Sequence, residues 1–194
     1  GTRQVNVAVR ELDPSALRNR TWVNSRLEFT HGFGLVASPV DEADARGQPV
    51  LWAKDIPTVT RLPFDRDLAQ PRIYFGELAD DGYVIVGTTA EEFDYPAGDD
   101  NVRTSYTGAD GVGVGSLVRR LLFALRFGDV EVLLSEAVTS RSRILMHRNI
   151  ADRVQRLAPF LDYDADPYPV LTDDGRLLWV IDAYTSTDHY PYSR

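Results

Sequence analysis

The side chains with the widest chemical range in this sequence are three histidines, His31, His147 and His189. A histidine can serve a serine or an aspartate as general base. The three lie far apart, never at the i, i+4 spacing of a helical zinc pair, and no G-x-S-x-G nucleophile elbow is present. The tail is richer, because Asp182, Tyr184, Asp188, His189 and Tyr190 follow a predicted strand. Tyrosine offers a flat apolar face and a hydroxyl, which suits sugar or peptide contact. His31, Asp182, Tyr184, Asp188, His189 and Tyr190 are therefore the candidate ligand-binding residues. A hydrolytic alternative pairs His31 or His189 with a nearby aspartate and requires a cleft joining His31 to Asp182 or Asp188.

Two further patterns touch on metals and phosphates. Asp162, Asp164 and Asp166 alternate, and Asp173 stands where the twelfth ligand of a calcium loop would fall. Pro167 occupies the place where that loop needs glycine, so an acidic turn is expected. The run Gly111-Val112-Gly113-Val114-Gly115-Ser116 feeds a predicted helix but lacks the lysine of a P-loop and the spacing of a dinucleotide fingerprint. It is expected to be a flexible linker. No cofactor or metal site is predicted.

Charge divides the chain. The 194 residues carry a net charge of −8, which argues against a nucleic-acid partner. Residues 117–156 hold eight arginines against four acids, leaving +4 there and −12 elsewhere. Arg119, Arg120, Arg126, Arg141 and Arg143 are candidate anion- or lipid-facing residues; the competing expectation for the whole segment is mutual pairing within the fold and a solvated helix face. Cysteine is absent, which excludes thiol chemistry and disulfides. No apolar run approaches the ~20 residues of a membrane span. Since the sole methionine is Met146, the sequence is read as a soluble piece of a longer protein.

The elements that must position these groups follow from periodicity. Val5, Val7 and Val9 alternate as in a strand with one buried face. Thr21 to Thr30 is ambiguous, and His31-Gly32-Phe33-Gly34 is expected to be a loop. Residues 35–40 and 50–54 form a hairpin around an acidic connector. Residues 72–77 and 83–86 form another around Asp80-Asp81-Gly82, and residues 168–171 and 176–183 a third around Thr172-Asp173-Asp174-Gly175. Ser116 and Gly128 bracket a helix carrying Leu117, Leu121, Leu122 and Leu125. A short helix within 130–138 and a third through Ile150, Val154 and Leu157 follow. The expected class is α+β, with mostly antiparallel strands at both ends and helices in the middle third. One domain is expected, β-rich over 1–110, helical over 115–160 and a hairpin over 163–193.

Longer phrases carry a resemblance. TWVNSRLEFTHGFG (21–34), YVIVGTTAEEFDYP (83–96), GSLVRRLLFALRFGD (115–129), SRILMHRNIADRVQRLAPFLDYDADPY (142–168) and RLLWVIDAYTSTDHYPYS (176–193) are similar to those of uncharacterised protein family 0182. The resemblance implies a large bacterial multi-pass membrane protein, of which this sequence would be part of the extracytoplasmic region, and implies no reaction, cofactor or catalytic residue. The expected partners are the remainder of the parent membrane protein and a cell-envelope component or anionic membrane surface. A binding or interaction domain is the leading expectation, a cell-envelope hydrolase the alternative.

Overall fold

The computed structural model describes residues 3–61, 68–79, 82–98 and 100–186. Its strands are β1 (Val5–Val9), β2 (Gly32–Phe33), β3 (Leu35–Pro39), β4 (Ala53–Lys54), β5 (Val59–Thr60), β6 (Arg72–Ile73), β7 (Tyr83–Val86), β8 (Glu92–Ala97), β9 (Asp100–Thr104), β10 (Val112–Gly113), β11 (Arg143–Met146), β12 (Asp162–Tyr163), β13 (Tyr168–Leu171), β14 (Leu177–Val180) and β15 (Ala183–Tyr184). Three helices, α1 (Leu117–Phe127), α2 (Glu131–Leu134) and α3 (Ile150–Leu157), complete the α+β set. They occupy the latter half of the chain, not its middle third.

The valine alternation of β1 places Val5, Val7 and Val9 on one face, paired with β3 so that Val7 stands opposite Ala37. This sheet runs in the order β1-β3-β4-β5. Leu171 and Leu177 of the β13–β14 hairpin pack on its apolar face, against Leu35, Ala37 and Ala53. Both hairpins therefore form as their sequences predict.

The hairpin expected over 72–86 does not form. Residues 83–86 are buried on both faces, so the run acts as a central strand and takes a distant partner, β11, with Ile85 opposite Ile144. Strand β6 pairs instead with β2. On one side of β7, Tyr83 and Ile85 meet Leu27, Ala124, Val132 and Val138; on the other, Val84 and Val86 meet Tyr74 and Leu145.

Two glycine-rich segments expected to be irregular are strands. Val112–Gly113 pairs with β11 and leaves no flexible linker. A β-carbon on Gly115 would lie 2.6 Å from the carbonyl of Ser140, so glycine here permits close approach of the backbone to the turn before β11. Gly32, in the expected loop, begins β2; a β-carbon there would overlap the carbonyl of Arg10. The ambiguous segment after Thr21 closes as a π-helical turn over Asn24–Glu28, which buries Leu27.

Helix α1 has the predicted ends. Ser116 Oγ accepts from the Arg119 N–H at 3.3 Å, and Gly128 terminates the helix at φ 65°. Asp129 then anchors it to the first half of the chain, accepting from the Trp22 indole at 2.9 Å and the Tyr83 hydroxyl at 2.5 Å.

Candidate functional site

Strand β8 inverts the usual pattern, turning its charged residues inward: Glu92 and Asp94 are buried, while Phe93 and Tyr95 lie half-buried against Phe29 and Phe33. Buried carboxylates need partners. Glu92 has them in the Thr30 hydroxyl, the Tyr74 hydroxyl at 3.0 Å and the Tyr106 N–H at 3.0 Å. Desolvation nevertheless raises the Glu92 pKa above the ordinary range, with these hydrogen bonds opposing it. Burial also pushes the Tyr74 phenol upward, so that hydroxyl remains a donor.

Asp94 is clamped by Arg72 through two parallel bonds, Nε to Oδ1 at 2.9 Å and Nη2 to Oδ2 at 2.7 Å. His31 sits against the same carboxylate with its ring on Tyr74. Its Nδ1 donates to the Gly32 carbonyl at 3.0 Å, which leaves Nε2 unprotonated, 3.9 Å from Asp94 Oδ1 and without a hydrogen bond. Desolvation lowers the His31 pKa, keeping the ring neutral.

This polar cluster backs onto an open groove of about 320 Å³, whose walls include Arg72, Tyr74, Phe75, Tyr106, Arg176 and Trp179. The Trp179 indole donates to the Phe75 carbonyl at 3.0 Å and fixes β14 as one wall. Tyr74 and Tyr106 meet edge to face at 5.1 Å. Arg176 is bound to Asp174 at 2.7 Å, so both groove arginines carry their own carboxylates.

Of the predicted ligand-binding residues, His31, Asp182 and Tyr184 lie among the described residues. His31 is enclosed and makes no hydrogen bond, ion pair or ring contact with Asp182 or Tyr184, which are exposed beside the β12–β15 pair. Asp188, His189 and Tyr190 lie outside the described residues. Among the described residues no group of three or more histidines and acids could hold a metal, the 162–166 aspartates included. Glu92, Asp94, Arg72, Tyr74 and Tyr106 escaped the sequence reading; the available signal was the i, i+2 acid pair between aromatic residues in a strand.

The predicted anion-facing arginines pair with no carboxylate among the described residues. Arg119 Nη1 donates to the Gly113 carbonyl at 3.2 Å, and Arg120 reaches the carbonyls of Val114 and Val138. Arg143 donates to Asp110 and Gly111 carbonyls at 2.6 and 2.8 Å. Arg126 and Arg141 are exposed.

A family model spans residues 1–194, described as an uncharacterised protein family. The chain belongs to UPF0182. UPF0182 proteins of Pelotomaculum thermopropionicum and Cupriavidus necator are 51% and 50% identical over 98% and 100% of the chain, and one of Methanospirillum hungatei is 47% identical over 98%. The chain spans about a fifth of the length of these relatives, 21% in each, and is part of a larger UPF0182 protein. No solved structure matches it. No described helix is long and apolar enough to cross a membrane.

Proposed function

We propose that this segment is a binding domain of its UPF0182 protein, placed on the extracytoplasmic side of the membrane, and that its groove takes a saccharide of the cell envelope. The resemblance described above supports the placement. The groove carries the binding assignment: aromatic faces of Tyr106 and Trp179 can stack on the C–H face of a sugar ring, while arginines already balanced by Asp94 and Asp174 offer spare N–H donors to hydroxyls without demanding an anion.

The test is a titration of the full-length protein with maltotriose, cellotriose and a galacturonate trimer, followed by tryptophan fluorescence. Saturable quenching with at least one oligosaccharide, lost in Trp179→Phe, is expected; no saturable change with any of them overturns the reading. Placement is tested separately by labelling Ala45→Cys in intact cells with a membrane-impermeant maleimide, where labelling only after lysis overturns it. The hydrolase alternative gains no support from His31, which is sealed against Asp94 and away from solvent; its other histidine, His189, lies outside the described residues.

A further inference from the structure

Helix α1 is apolar on two sides. Phe123, Ala124 and Phe127 pack into the core beneath it. Leu117, Val118, Leu121, Leu122 and Leu125 are 47% to 72% exposed. At 3.6 residues per turn these five cover an outward arc of about 140°. Arg126 and Arg119 fall next on the same circumference, beside Leu122. Large apolar side chains on the outer face as well as the inner one are unusual for a surface helix, and five of them in a contiguous stripe form the kind of patch that marks an interface.

We infer that the outward face of α1 docks against another part of the same UPF0182 polypeptide, specifically a helix that brings apolar side chains to the leucines and carboxylates to Arg119 and Arg126. This goes beyond the saccharide reading and stands independently of the groove. Three observations select that occupant. The relatives are about five times as long as this chain, so most of the polypeptide is available to cover the face. A segment of the same polypeptide meets its site intramolecularly, with no dependence on the concentration of a separate partner. The surface is also indented: a cavity of about 290 Å³ lies among Val112, Leu122 and Phe123, between Arg119 and Arg126. A hollow with apolar walls accepts a protruding side chain of a packing helix, whereas a lipid surface needs no hollow. Neither arginine has a carboxylate partner among the described residues, so acids on the incoming helix would complete both.

The experiment uses the full-length protein in its native membrane. Photoreactive p-benzoylphenylalanine is placed at Leu122 and, separately, at Leu125, and cross-linked peptides are identified by mass spectrometry. Links to peptides outside this segment in a product of monomer size are expected. In parallel, Leu125→Cys should react with a maleimide, after permeabilisation, at least tenfold more slowly than Ala45→Cys. Links to lipid, to a second copy or to another protein overturn the inference, as does a Leu125→Cys thiol as reactive as Ala45→Cys. Because position 125 faces outward, folding of its variants is checked by an unchanged tryptic pattern.

Discussion

The interior around β8 and the outer face of α1 treat polarity in opposite ways. Beneath β8 the fold takes carboxylates out of water and surrounds Glu92 with three donors and Asp94 with a two-pronged guanidinium. On α1 it leaves leucines in water and arginines without acids among the described residues. The first region is internally complete, and changing one of its members strands the others. The second lacks a partner, so changing it should matter little to folding and greatly to whatever covers it. Burial of charge thus marks where this domain holds itself together, and exposure of hydrocarbon marks the face for which docking is proposed.

The sharpest contrast comes from removing Glu92. Glu92→Ala leaves two hydroxyls and one N–H buried without an acceptor, and should cost about 4 kcal/mol in urea unfolding, at the level of a core truncation such as Ile85→Ala. Asp94→Asn retains the shape but removes the charge that Arg72 pairs with, and is expected to cost about 2 kcal/mol by the same measurement. A smaller effect is set by pH. The His31 pKa is depressed in the fold, so the unfolded state takes up a proton first as pH falls below the ordinary value of 6.5, and the wild type loses stability there. Melting temperatures from pH 7.5 to 5.5 should fall relative to those of His31→Gln, with the gap widening toward the acidic end; parallel curves would mean that His31 titrates normally. At the bottom of the scale, Leu121→Gln with Leu125→Gln should change the unfolding free energy of the segment by no more than about 0.5 kcal/mol per site. A loss comparable to Glu92→Ala would break the contrast, because those leucines would then be supporting the fold.

The contrast also separates what the sequence could reveal from what it could not. Helix α1 was legible because its signals are local: a serine cap, a glycine stop and leucines at helical spacing. The β13–β14 hairpin was legible for the same reason, its turn residues standing between two short apolar runs. Strand β7 was recognised as a strand but given the wrong partner, since its match, β11, lies some sixty residues away and nothing in Tyr83–Val86 names it. Glu92 and Asp94 were missed because acids ordinarily mark a solvated face, and only the positions of Thr30, Tyr74, Arg72 and Tyr106 reveal that these point inward. The arginine-rich segment was seen, but not its preference for backbone carbonyls, which depends on where β10 and the 138–141 turn come to rest. For His31 the sequence offered Asp182 or Asp188 as the neighbouring acid; the structure sets Asp94 beside it, and Asp188 lies outside the described residues.

The bonds at Asp129 carry a consequence in time. Trp22 and Asp129 are separated by 107 residues, and the carbonyl of Thr30 awaits Arg148, 118 residues further on. At a synthesis rate of roughly 5–20 residues per second, the first third of this segment leaves the ribosome roughly 5–20 s before the side chains that fasten it exist. Through that interval Trp22, Leu27 and the unfinished sheets have only water or a chaperone for company. The growing chain is therefore most open to capture, aggregation or premature cleavage before residue 150, and after that point several distant parts lock within a few residues of one another.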